Sequence, residues 1–293
     1  MSKRIAVVGV GLMGTSLVRH LLAADFSVTV HDVDSAKVEA IVKEGAKKAD
    51  SPDRIASQVD VIMLSLPNSH IVNEVVKDTL RLFETGKKGL VVIDTSTPDP
   101  EMSAQLAAQL RQKGIEMLDA TISGTSEMFV EKDAIFLVGG KQEVFKACEP
   151  IFSVMSKHAF RMGDNGAGAM TKLVANLVLT LNRMALAEGL TLAKKAGLDR
   201  LQTLEVLKKS AAYSKAMDQK GLRMVNKQFL PPASRLSSSY KDARLILALG
   251  ARLDCPLPLI SLTVQAMASE VSKGRKEWDP ATLISFYDEL ANL

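Results

Sequence analysis

Two groups of residues in this chain have the types and spacing to do chemistry. Gly9-Val10-Gly11-Leu12-Met13-Gly14 spells GxGxxG between a run that reads as a strand and a segment that reads as a helix. In such a turn the first glycine permits a tight bend and the second lets a pyrophosphate approach the backbone. The third lets helix and strand pack closely. The unpaired N–H groups of the helix start then face the phosphates. Gly9, Gly11, Leu12, Met13 and Gly14 are therefore candidate cofactor-binding residues. Asp32 closes the next strand, close to the ~20-residue offset at which a carboxylate takes the ribose 2′-OH, although the same residue could form an Asx turn. Val33-Asp34 follow it, with no arginine to receive a 2′-phosphate. The dinucleotide expected is NAD rather than NADP.

The second group centres on Lys172 and Asn176, four residues apart and so on one face of a helix. The apolar neighbours Leu173, Val174, Leu177 and Val178 would strip water from the lysine. That disfavours the ammonium and suits it to shuttle a proton. Spacing alone fits better a lysine that snorkels to solvent from a helix start. Ser123-Gly124-Thr125 offers hydroxyls and N–H groups to a carboxylate. Leu66-Pro67 and Thr97 lie in turns after two further strands, where ligands of such sheets sit, and each turn also reads as ordinary capping.

These residues need a scaffold, and the pattern supplies two halves. Strands are expected at Arg4–Val8, Ser27–His31, Val61–Ser65, Leu90–Asp94, Glu116–Asp119 and Ala134–Val138. Between them, Thr15–Ala24, Ala36–Glu44, His70–Lys77, Glu101–Lys113 and Glu143–Ser156 carry helical periodicity. That alternation predicts an α/β N-terminal domain, 1–163, with a Rossmann-type doubly wound parallel sheet. Beyond Gly163 the strands stop. Ala167–Ala196, Leu201–Ser210, Ala216–Asn226, Leu236–Leu253, Leu257–Lys273 and Pro280–Leu293 predict an all-α C-terminal domain, 164–293.

Composition removes other classes. The chain has 293 residues, 47% hydrophobic and 24% charged, with a net charge of +4, so disorder and nucleic-acid binding are not expected. Cys148 and Cys255 lack metal or redox spacing and read as two buried free thiols. The four histidines show no metal-ligand pattern. Ile5–Val18 follows two basic residues but holds three glycines and no cleavage site, so targeting is not expected. No apolar run reaches the ~18 residues of a membrane helix, and a cytoplasmic protein without membrane contact is the expectation.

Four motifs together carry a family resemblance. Gly9–Gly14, Asp119-Ala120-Thr121-Ile122-Ser123-Gly124-Thr125, the run from Gly166 through Lys172 to Asn176, and Lys241-Asp242 stand in the order found in the β-hydroxyacid dehydrogenases. That family includes 3-hydroxyisobutyrate dehydrogenase and tartronate semialdehyde reductase, and the resemblance spans essentially the whole chain. It implies an NAD-dependent oxidoreductase that interconverts a small anionic 3-hydroxy acid and its semialdehyde. It also implies Lys172 as general acid/base, Asn176 orienting the substrate, Ser123 and Gly124 holding its carboxylate, and Lys241 near the nicotinamide. A homodimer or homotetramer is implied as well. The chain departs from the pattern at Thr121, where the family has proline, at Thr125, where it has glycine, and at Lys132-Asp133, where a Gly-Thr pair is usual. Imine reductases share this fold but generally lack the lysine. A non-catalytic dinucleotide-binding module is the alternative outside enzymology.

Overall fold

The structure, a computed structural model, describes residues 3–293. The chain divides into two compact units, the first ending at Lys172 and the second running Leu173–Leu293.

The first unit starts with β1 (Arg4–Val8), α1 (Leu12–Leu22), β2 (Ser27–His31), α2 (Ser35–Val42) and the two-residue β3 (Lys47–Lys48). It continues through α3 (Ile55–Gln58), β4 (Val61–Leu64), α4 (Ser69–Glu74), which runs into a π turn at Val75–Thr79, α5 (Leu82–Thr85) and β5 (Val91–Asp94). Then come α6 (Pro100–Arg111), β6 (Glu116–Ser123), α7 (Ser126–Val130), β7 (Ile135–Gly139), α8 (Gln142–Ser153) and β8 (Ala159–Gly163). The eight strands form one sheet in the order β3-β2-β1-β4-β5-β6-β7-β8. Strand order reverses between β1 and β4, where Ile5 pairs with Val61 and Val8 with Leu64.

Two-residue alternation splits the strands between two cores. Ile5, Val7, Val28, Val30 and Met63 pack under α1, α2, α7 and α8. Ala6, Val8, Ile62, Leu64 and Val92 pack on the other face with Val72, Val76, Leu106 and Leu110. With both faces covered, the doubly wound architecture stands as expected.

Several details differ from the sequence reading. The sheet is not wholly parallel, because β6 and β7 run antiparallel. The link of residues 124–134 between them is too short for the crossover of a dozen or more residues that a parallel pair needs. β6 extends past Asp119 to Ser123 because it pairs along that extra length with β7. The sequence reading also omitted β3 and β8. Both are edge strands, the first a pair of lysines and the second alternating half-buried and exposed residues, so neither shows the apolar run of a central strand.

The second unit is helical. α9 (Ala167–Lys195) enters it from the first, followed by α10 (Arg200–Lys209), α11 (Lys215–Val225), α12 (Leu236–Arg252), α13 (Pro258–Ser272), a 3₁₀ turn at Pro280–Thr282 and α14 (Leu283–Leu290). Leu173 and Met184 of α9 join a cluster with α12 and α13. Leu186, Ala187 and Leu190 join a second with α10 and α11. Among the described residues α9 alone has the length and apolarity to cross a membrane, and here it feeds both clusters. Cys148 is buried, but Cys255 is exposed, because it falls in the turn between α12 and α13 rather than on a packed face.

Candidate functional site

The glycine turn is built by three different demands. Gly9 has φ +91°, and a Cβ there would lie 2.3 Å from the Ser65 carbonyl oxygen. A Cβ on Gly14 would lie 1.9 Å from the Gly9 oxygen. Those two glycines are required by protein packing. Gly11 is different: its φ is −70° and a Cβ on it would meet nothing within 4 Å. Its side is open, as the approach of a pyrophosphate to the backbone requires. Gly11 caps α1 without any side-chain hydrogen bond, so the helix's first N–H groups have no capping oxygen from a side chain. A dinucleotide fits this cradle. Leu12 is exposed at its rim, and Met13 packs against the core beneath.

Asp32 ends β2 beside the turn. Its Oδ2 accepts from Val10 N at 2.7 Å and its Oδ1 from Asp34 N at 2.9 Å. It therefore makes the Asx turn and also braces the glycine loop, while each oxygen keeps a further lone pair. An open cleft adjoins it, lined by Val30, His31, Ser35, Lys48 and Pro52 among others. Burial pushes the His31 imidazole down, against the pull of Asp32.

The turns after β4 and β5 are locked to one another next to β1. Ser65 N donates to Val8 O at 2.9 Å, and Thr95 donates to Leu64 O through both N and Oγ1, each at 2.8 Å. Leu66 N donates to Ser96 Oγ at 3.0 Å. Leu66, Pro67 and Thr97 thus sit at the carboxyl ends of strands adjoining the order reversal. Within the turn Asp94-Thr95-Ser96-Thr97, expected from sequence to face a ligand, it is the Ser96 hydroxyl that makes the cross-link.

The strand that carries Ser123 also anchors α9. Asp119, fully buried in β6, accepts from Gly166 N at 2.8 Å and from Ala169 N at 2.9 Å. Burial pushes its carboxyl above the ordinary range, opposed by those N–H groups. Two residues on, Thr121 Oγ1 donates to Gly168 O at 3.2 Å. A Cβ on Gly139 would strike the Asp119 carboxylate, and one on Gly168 would strike Asp119 O and Leu137 O, so helix and sheet touch backbone to backbone. Lys172 lies one and a half turns beyond, 8% exposed. It does not snorkel from the helix start.

Ser123 closes β6, and a side chain on Gly124 would sit 2.5 Å from the Ala134 Cβ. The departures from the family pattern have local uses. Thr125 Oγ1 accepts from Met128 N at 3.2 Å and caps α7. Lys132 adopts φ +57°, the left-handed region that a glycine enters more cheaply.

In the second unit, Asn176 Nδ2 donates to Asp242 Oδ2 at 2.9 Å. Lys241 pairs with Asp242 Oδ1 at 3.2 Å and is one-third exposed. The sequence reading singled out Lys241, whereas Asp242 is the residue that holds Asn176. It also gave no role to Arg183, which is buried further along α9.

A doubly wound sheet with this glycine turn at its order reversal is a dinucleotide-binding unit, here continued by a helical one. The model for the NAD-binding domain of 6-phosphogluconate dehydrogenase matches residues 4–163. A second, described as the NAD-binding domain of NADP-dependent 3-hydroxyisobutyrate dehydrogenase, matches residues 166–287. The chain is 30% identical to a 2-(hydroxymethyl)glutarate dehydrogenase of Eubacterium barkeri, covering 100% of this chain and 97% of the relative. It is also 30% identical to glyoxylate/succinic semialdehyde reductase 1 of Arabidopsis thaliana, over 96% of both chains. A crystal structure of 3-hydroxyisobutyrate dehydrogenase from Salmonella typhimurium superposes with a TM-score of 0.87 at 25% identity, covering 97% of this chain and 99% of the other. The chain belongs to the β-hydroxyacid dehydrogenase family and is an NAD(P)-dependent oxidoreductase of hydroxy acids.

Proposed function

We propose that this enzyme interconverts a small 3-hydroxy acid and its semialdehyde, with Lys172 as general acid/base. The observation that carries the reading is the shared anchorage within the first unit. β6 ends in Ser123, and through Asp119 and Thr121 the same strand grips the start of the helix that carries Lys172. One strand thereby fixes both the proposed carboxylate anchor, Ser123 and Gly124, and the proposed proton carrier.

The bound dinucleotide supplies the hydride acceptor or donor at its nicotinamide. Lys172 Nζ takes the hydroxyl proton as the alcohol is oxidised and returns it to the carbonyl oxygen in the reverse direction. Its near-complete burial keeps bulk water from that exchange. Asn176 orients the substrate. One Nδ2 hydrogen is given to Asp242, and the second is left to donate to the reacting oxygen of the substrate, whose own proton goes to Lys172. The lysine also sets this reading apart from an imine reductase and from a non-catalytic module.

For the cofactor the reading is NAD, bound through Gly9, Gly11, Leu12, Met13, Gly14, Asp32, Leu66, Pro67 and Thr97. Asp32 offers a carboxylate to a ribose 2′-OH, and the residues that follow it supply no arginine for a 2′-phosphate: Val33 is wholly exposed and uncharged, and the Asp34 carboxylate caps α2. Tighter NADPH than NADH binding in a fluorescence titration would overturn that choice.

Lys172→Ala is expected to lower kcat by roughly 10²–10⁴-fold, the usual span for a lost general acid or base. NADH should still quench protein fluorescence with unchanged affinity. Near-normal turnover of the variant on the best of a panel of hydroxy acids would refute the mechanism.

A further inference from the structure

Arg183 lies seven residues beyond Asn176 in α9, two turns on and on the same face. Side chains of a helix lean toward its N-terminus, which carries the guanidinium back toward Asn176. Arg183 is only 6% exposed, and among the described residues it makes no hydrogen bond or ion pair. Its Nε is enclosed without an acceptor. An arginine in that situation retains its desolvation cost without recovering it from a partner.

The carboxylates near it have other partners. Asp242 Oδ2 accepts from Asn176, and its Oδ1, buried without a hydrogen bond among the described residues, lies 3.2 Å from Lys241 Nζ. Asp279 accepts from Lys220 Nζ at 2.7 Å, Ala233 N at 3.0 Å and Ala281 N at 3.0 Å. Arg183 is thus a buried cation beside two carboxylates whose hydrogen bonds come from other donors. Burial pulls the Arg183 guanidinium below its ordinary range, with Asp279 and Asp242 pulling the other way. The two carboxylates therefore act on the guanidinium without bonding to it. A planar guanidinium with open donors is shaped for a carboxylate, which it takes in a bidentate grip.

We propose that Arg183 receives a second carboxylate of the substrate, so that the preferred substrate is a dianionic hydroxy acid. The inference rests on the reading that Asn176 contacts substrate, and it assigns that site a charge class.

The test compares 2-(hydroxymethyl)succinate with its mono-acid counterpart 3-hydroxy-2-methylpropanoate, using the whole enzyme and its dinucleotide. The wild type should favour the dianion in kcat/KM by about a hundredfold, the scale of one buried charged hydrogen-bonded pair. Arg183→Met should collapse that ratio toward one, and Arg183→Lys should keep part of it. A wild type without preference, or a variant that loses both substrates in equal proportion, overturns the proposal. A second readout needs no turnover. Millimolar glutarate should raise the Tm of the wild type but not of Arg183→Met, and butyrate should raise neither. If no hydroxy acid is turned over, the proposed reaction fails, while the glutarate shift still decides the subsite: an Arg183-dependent shift supports it and its absence refutes it.

Discussion

In the first unit the turn after β1 and the loops after β4 and β5 are held largely through main-chain groups. Gly9 N donates to His31 O, Ser65 N to Val8 O and Thr95 N to Leu64 O, and Asp32 and Ser96 accept from backbone N–H groups. In the second unit charged side chains hold one another. Lys220 pairs with Asp279, Arg200 and Lys227 pair with Asp288, and Lys273 and Arg275 both reach the buried Glu270. The contrast teaches where variation can enter. A backbone cradle binds the constant part of a dinucleotide whatever side chains surround it. A network of buried charges can change its preferred ligand with a single replacement.

The largest expected effect tests the charged half. Lys220 and Asp279 are 1% and 0% exposed at the side chain. Burial pulls the Lys220 ammonium down, and Asp279 holds it against that pull. Removing one member of such a pair leaves a buried charge uncompensated, so Lys220→Ala should cost about 3–5 kcal/mol of stability in urea unfolding. Adding Asp279→Asn should recover part of that loss, because the charge goes while one oxygen remains to accept from either Ala281 N or Ala233 N, which bond different oxygens of the aspartate. A loss below ~1 kcal/mol for Lys220→Ala would show that the buried charges of this unit are not holding it together.

The backbone half predicts a split among its glycines. Gly14→Ala drives a methyl into the Gly9 carbonyl and should destabilise the fold by about 1–3 kcal/mol, the usual range for overpacking. Gly11→Ala meets no protein atom, so stability should stay within ~0.5 kcal/mol while NADH affinity falls. Calorimetric melting beside an NADH titration separates the two. Equal binding by Gly11→Ala and the wild type would break the claim that this glycine is open for a ligand.

That split also explains what was legible. Gly9–Gly14, Asp32 and the alternating strands declare themselves because backbone demands leave local marks: glycine where a Cβ would clash, and a two-residue period where both faces are covered. Strand direction leaves no such mark, so the antiparallel β6–β7 pair was missed. Lys172 and Asn176 could be placed on one helix face by spacing, but their chemistry came from the family resemblance. Arg183 and Lys220 gave no signal. A basic residue in an amphipathic helix reads as solvated, and only the tertiary packing of the helices puts these two inside. Asp119 looked like the first letter of a substrate motif, whereas its carboxylate is spent on the start of α9.

The smallest effect concerns acid. Burial alone would push Asp288 up, but hydrogen bonds from Arg200, Lys227 and Thr191 outweigh it and hold the carboxyl below the ordinary range. A carboxyl depressed on folding contributes stability in full above its unfolded value, roughly 3.9. That contribution is lost as pH falls through the lower folded value. The stability gap between wild type and Asp288→Asn should therefore be constant from neutral pH down to about pH 5 and should close below pH 4. Urea unfolding of both proteins at a series of pH values reads it directly. Other carboxylates titrate in the same range in both proteins, so only the difference between the curves belongs to Asp288. A gap that instead widens as acid is added would mean that its carboxyl is raised on folding, with burial outweighing Arg200 and Lys227. The ion pairs of the second unit would then be a cost that its packing carries, and no longer the force that organises it.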